Sequence, residues 1–147
     1  MVARRTPPYE LLIADDDPAF RETLKRVFEP HFHMLEAESG EEAIQIVRRQ
    51  PVDIALFDMH MHELTGLETL RIVKSFKLIL PCIILTADVS DRLRRDAALA
   101  DAYTVLQKPV SKADLVSTVS TALAEGGRMK DDAEGGRMKD EGGKRNG

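Results

Sequence analysis

The feature that most constrains this chain is a rhythm of five short apolar runs, Glu10 to Ala14, Phe32 to Glu36, Ile54 to Phe57, Cys82 to Leu85 and Tyr103 to Leu106. Each is followed by a longer segment whose apolar residues recur at helical spacing. Four of the runs are nearly continuous in apolar residues, as strands covered by helices on both faces must be, whereas half-exposed strands alternate. The second run is interspersed with His33 and Glu36, which suits the edge of a sheet. Strands that alternate with helices in this way define an α/β fold built on a parallel sheet.

The helical segments carry start signals. Asp17-Pro18 puts a side-chain acceptor at an N-cap and a proline in the first turn, where its missing N–H costs nothing. Ser39 with Glu42, and Thr65 with Glu68, both have the spacing of a capping box. Ser111-Lys112-Ala113-Asp114 is a weaker start. Apolar stripes then follow at Leu24, Val27 and Phe28, at Ala43, Ile44 and Val47, at Leu67, Leu70, Ile72 and Val73, and at Leu115, Val119 and Leu123.

Glycine marks the main boundary, because only Gly40 and Gly66 of the 9 glycines precede residue 125. The remainder lie in a segment that repeats Ala124 to Asp132 as Ala133 to Glu141 and lacks aromatic and β-branched residues. We therefore expect a flexible N-terminus over 1–8, one folded domain over 9–124 and a disordered tail over 125–147, a length that excludes a multidomain enzyme. The longest apolar stretch, Leu78 to Leu85, is interrupted by Pro81 and is too short for a membrane span, and the N-terminus lacks the apolar core of a secretion signal. A cytoplasmic protein is expected. Cys82 is the only cysteine, so neither an internal disulfide nor a cysteine-based zinc site can form, and a buried reduced thiol is expected. A net charge of -4 argues against a nucleic-acid surface, and Arg92, Arg94 and Arg95 read as the solvated face of a helix.

In an open parallel sheet ligands gather at the carboxyl ends of the strands. The first run ends in Asp15-Asp16-Asp17, the third in Asp58, the fourth in Thr86 and the fifth in Lys108-Pro109. Crowded carboxylates about 5 Å apart repel by roughly 3 kcal/mol per pair at an effective dielectric near 20, so a cation belongs among them. All-oxygen donors favour a hard ion such as Mg²⁺, and Lys108 supplies a second positive charge. Between two cations a carboxylate becomes a plausible phosphoryl acceptor, with Thr86 donating to the new group.

At these residues the chain resembles the receiver domains of bacterial two-component response regulators, over Tyr9 to Leu123. The resemblance rests on Leu11-Leu12-Ile13-Ala14-Asp15-Asp16-Asp17-Pro18, Asp53 to Met61, Gly66-Leu67-Glu68, Ile83-Ile84-Leu85-Thr86-Ala87 and Leu106-Gln107-Lys108-Pro109-Val110. It implies a doubly wound, flavodoxin-like sheet of five strands in the order 2-1-3-4-5. It also implies Asp58 as phosphoacceptor, Asp15, Asp16, Asp58 and the His60 backbone carbonyl as Mg²⁺ ligands, Thr86 and Lys108 as phosphoryl contacts, and a cis Lys108–Pro109 bond.

Three positions depart from the family pattern. His62 replaces a usual proline, Val105 occupies the place of the aromatic switch residue, and Asp101 or its neighbours replace a glycine. Tyr103 lies two positions before Val105; by the period of a strand it shares that residue's face, which makes both switch candidates. The His60 side chain is expected to overhang an acyl phosphate and influence access of water, while a dedicated transition-metal site at His60 and His62 is disfavoured.

The function expected from the resemblance is a stand-alone receiver, not an enzyme in the ordinary sense. It takes a phosphoryl group from a sensor histidine kinase or phosphotransfer protein, and its signal leaves through the fourth helix, fifth strand and fifth helix to a downstream protein that the sequence does not name. The alternatives are a receiver-like interaction module that does not switch, and an aspartyl-phosphate phosphatase. The second would want a carboxylate two residues after its nucleophile, where this chain has His60.

Overall fold

The computed structural model describes residues 6–125. Ten elements alternate without exception: β1 (Tyr9–Ala14), α1 (Pro18–Phe28), β2 (Phe32–Ala37), α2 (Gly40–Arg49), β3 (Ile54–Asp58), α3 (Gly66–Phe76), β4 (Cys82–Thr86), α4 (Asp91–Leu99), β5 (Thr104–Gln107) and α5 (Lys112–Glu125). The strands form one sheet in the order β2-β1-β3-β4-β5, and every neighbouring pair is parallel. This is the doubly wound architecture expected, with β2 at an edge. α5 runs to Glu125, so Ala124 and Glu125, the first two residues of the repeat, are helical, and the expected disorder does not hold at residue 125; residues 126–147 and the first five residues lie outside the described residues.

Alternation along each strand sends side chains into two separate cores. Leu12 and Ala14, Ala55 and Phe57, Cys82 and Ile84, and Val105 pack with residues of α2, α3 and α4 on one face. Leu11 and Ile13, Ile54 and Leu56, and Ile83 and Leu85 pack with residues of α1 and α5 on the other. All five residues of β3 and all five of β4 are buried, which explains why every one before the terminal Asp58 and Thr86 is apolar. Burying each such side chain stabilises the fold by about 1.5–3 kcal/mol. Cys82 is a free thiol in this core, and burial pushes its pKa up to about 12, leaving it neutral.

The helix starts are largely those read from the residues. Asp17 caps α1 by accepting from Ala19 N–H, with Pro18 in the first turn. Thr65 and Glu68 close a full capping box at α3. At α2 the box is only half made: Ser39 accepts from Glu42 N–H, but the Glu42 carboxylate reaches one residue further back to Glu38 N–H. The start of α4, capped by Ser90, lacked a named signal; Ser90 Oγ accepts from Leu93 N–H.

Two expectations about the last strand need correction. β5 begins at Thr104, one residue later than expected, and Tyr103 packs with the α1 and α5 core while Val105 joins the opposite one. The period of two fails because Tyr103 precedes the paired strand, just after a turn in which Asp101 takes a φ of 70°. Asp101, named above as a departure from the family pattern, thus holds a left-handed conformation that favours glycine.

Candidate functional site

The carboxyl ends of β1, β3 and β5 converge. Asp15 follows β1, Asp58 ends β3, and both are buried. Asp16 is half-buried beside them, and oxygen atoms of Asp15, Asp16 and Asp58 all lie within 4.8 Å of one another. Lys108, one residue past β5, brings its Nζ to 2.6 Å from Asp58 Oδ1 and 3.4 Å from Asp15 Oδ2. The Lys108–Pro109 bond is cis, as expected.

Local contacts hold the carboxylates in place. Asp15 Oδ1 accepts from Asp17 N–H at 2.8 Å, closing the turn between β1 and α1. The buried Arg21 donates from Nη1 to the Asp15 backbone carbonyl and from Nε to Glu36 at the end of β2. Asp58 is positioned from behind by Gly66, where an added Cβ would lie 2.5 Å from the Asp58 carbonyl oxygen and 3.0 Å from Met59 Cα. Gly66 N–H also donates to the Met59 carbonyl, so the 59–65 loop is tied at both ends. Only a residue without a side chain permits that approach.

Three acids and one ammonium leave the pocket with an excess of negative charge. Burial pushes the Asp15 carboxyl above its ordinary value, the Asp58 charge adds to the rise, and Asp17 N–H and Lys108 oppose it. A cluster of hard oxygen donors with such an excess fits a small divalent cation, which would relieve the repulsion that Lys108 only partly offsets.

The other expected residues surround this centre at different removes. Thr86 is fully buried at the end of β4, where its Oγ1 accepts from Asp88 N–H at 3.1 Å, leaving its own O–H to donate. His62, in the place of the family's proline, sets Nδ1 2.9 Å from Asp16 Oδ2 although its side chain is 88% exposed. His60 is exposed, with Nε2 3.9 Å from Asp88 Oδ2 across the mouth. The structure does not bring Tyr103 or Val105 into this cluster. Tyr103 bonds Glu125 at the end of α5, and burial together with that carboxylate pushes its phenol up.

Sequence reasoning missed two residues, both on the first turn of α1. Arg21 fastens the turn that carries the acidic pair, and the Phe20 ring lies under Lys108, with Nζ 4.0 Å from its centroid. The available signal was their spacing from Asp17, three and four residues along a helix, which turns both back over the cap.

A doubly wound sheet with this acidic pocket and lysine at its carboxyl edge defines a receiver. Residues 11–120 match the response regulator receiver domain family, and the chain belongs to it. Among curated relatives it is 34% identical to the response regulator MprA of Mycolicibacterium vanbaalenii, covering 79% of this chain and 51% of that protein. It is 30% identical to the transcriptional regulatory protein GlrR of Escherichia coli, covering 85% of this chain and 28% of that one. The chain thus spans about half or less of these relatives' length. Among solved structures, a receiver domain protein of Clostridium thermocellum matches with a TM-score of 0.75 and 27% identity, over 80% of this chain and 95% of that one. A CheY-like receiver domain protein of Methanospirillum hungatei has the same fold, with a TM-score of 0.77 at 24% identity over 80% and 94% of the two chains. Among the described residues no helix is long and apolar enough to cross a membrane.

Proposed function

We propose that this receiver accepts a phosphoryl group on Asp58 from a sensor histidine kinase or phosphotransfer protein, in the cytoplasm, and passes the change to a downstream protein by direct contact. The observation that carries the proposal is the placement of Lys108 Nζ 2.6 Å from Asp58 Oδ1, beside the Asp15 and Asp16 carboxylates. A carboxylate oxygen of Asp58 forms the new P–O bond as the P–N bond of the partner's phosphohistidine breaks. The imidazole keeps that bond's electron pair and takes up a proton.

Asp15, Asp16, Asp58 and the His60 backbone carbonyl are the groups that would hold Mg²⁺, which when bound neutralises charge on the phosphoryl oxygens. Lys108 contributes the second positive charge and follows the negative charge from the carboxylate onto the new group. Thr86 turns its O–H toward a phosphoryl oxygen, and the two contacts bias the face formed by α4, β5 and α5 between two arrangements. Incubation with Mg²⁺ and a small acyl phosphate gives an acid-stable, base-labile mass gain of one phosphoryl group that is lost in Asp58→Asn. Labelling that survives in Asp58→Asn places the acceptor elsewhere.

One observation favours a second reading, an interaction module that does not switch. Val105 is aliphatic and buried at the aromatic position, and Tyr103 faces the other side of the sheet, tied to Glu125. Under that reading partner affinity is the same for the phosphorylated protein and for Asp58→Asn; a titration of both separates the two.

A further inference from the structure

We propose that Phe20 is a positioning residue for Lys108, holding its ammonium at the pocket wall both before and after Asp58 is modified. The inference rests on the reading of Asp58 as phosphoacceptor, and concerns a side chain that never touches the phosphoryl group.

The ammonium has three N–H groups. Its carboxylate partners are Asp58 at 2.6 Å and Asp15 at 3.4 Å, and the Phe20 ring forms a third wall with its centroid 4.0 Å from Nζ. Lys108 is flexible, and its side chain is 23% exposed, so two carboxylates alone leave it free to swing toward water. The ring face carries negative charge density that attracts a cation, and the attraction strengthens where water is displaced.

The two kinds of contact respond differently to chemistry at Asp58. When a carboxylate oxygen is taken into an acyl phosphate, its charge moves outward onto the phosphoryl oxygens, and the 2.6 Å ion pair must be remade at a new distance. Phe20 neither titrates nor changes charge. It sits on α1, packed against the core that includes Leu24 and Leu115, and so keeps its place while the carboxylate side rearranges. A fixed apolar wall limits the ammonium to a short arc that sweeps from Asp58 toward the incoming group.

The test compares wild type, Phe20→Leu and Phe20→Tyr in the full chain. Leucine preserves apolar packing and abolishes the ring; tyrosine preserves the ring. In the wild type, ring current shifts the Lys108 ε-methylene and ammonium resonances upfield. Phe20→Leu returns them to ordinary lysine positions, and Phe20→Tyr keeps the shift. With a small acyl phosphate and Mg²⁺, Phe20→Leu slows phosphorylation by about two- to thirtyfold, the range expected for losing one cation–π contact, and Phe20→Tyr restores the rate. Unshifted Lys108 resonances in the wild type, or a Phe20→Leu variant phosphorylated at the wild-type rate, overturn the proposal. The resonance shift is read without phosphate, so a failure of Asp58 as acceptor would show in its own labelling experiment and leave the contact between Phe20 and Lys108 standing.

Discussion

Lys108 pairs with Asp58 at 2.6 Å and with Asp15 at 3.4 Å, while Asp16 has the exposed His62 ring as its side-chain partner. The three acids are therefore unequally compensated, and Asp16 is the one that Lys108 does not pair with. Asp16→Asn should stabilise the metal-free protein by about 1 kcal/mol, less than the roughly 3 kcal/mol of an unscreened like pair because Asp16 is partly exposed. Urea unfolding without divalent cations checks the gain. The same substitution should weaken Mg²⁺ binding by at least about tenfold in calorimetry. A variant that loses stability and keeps its affinity contradicts the assignment.

Acid should affect the pocket and the β2 edge in opposite directions. Asp15 is raised by burial, so the folded form holds a proton at pH values where the unfolded chain has released it. Its contribution to stability is present at low pH and is lost as pH rises through the raised folded value. A divalent cation competes with that proton. The rise in melting temperature on adding Mg²⁺ should therefore grow with pH and fade below the Asp15 transition. Glu36 behaves in reverse: its hydrogen bond to Lys25, with Arg21 adding, holds it below the ordinary carboxylate range. Its contribution is full above its unfolded value and is lost as pH falls through the folded one, and Glu36→Gln should flatten that part of the acid limb.

Gly66→Ala should cost about 1–3 kcal/mol, since the new methyl meets the Asp58 carbonyl and Met59 Cα rather than a yielding side chain. Displacing the Asp58 backbone should also slow phosphorylation. Denaturant unfolding and the labelling rate measure the two effects, and a neutral outcome in both would mean that the loop relaxes freely.

Tyr103→Phe removes a hydroxyl bonded to Glu125 and leaves the ring in its core. The response of a downstream partner to phosphorylation should be unchanged, because Tyr103 lies away from Val105 and from the acidic pocket. A binding titration with and without phosphodonor checks this, and loss of the response would make Tyr103 the switch after all.

The fold was legible because β3 and β4 are buried on both faces, which forces unbroken apolar runs such as Ile54 to Phe57 that turn residues then punctuate. The pocket was legible for a related reason: a parallel sheet delivers Asp15, Asp58 and Lys108 to one edge, so the ends of the runs could be examined directly. Legibility stopped where contacts depend on neighbours in space. The Glu42 carboxylate chose Glu38 over Ser39. Tyr103 escaped the strand period because the turn at Asp101 precedes it. Phe20 and Arg21 look like ordinary residues of an amphipathic helix, and beyond their spacing from Asp17 it is the contacts with Lys108 and with the Asp15 carbonyl that set them apart.

Asp15 and Lys108 meet across 93 residues of chain, so the acidic pocket spans most of the described domain. Because the lysine is added by the last strand, a chain emerging from the ribosome carries a bare group of repelling acids until β5 docks. The charge-compensated pocket thus arrives only with completion of the sheet. On the proposed reading, a copy lacking that strand would keep the acids and lose the ammonium, and should accept no phosphoryl group.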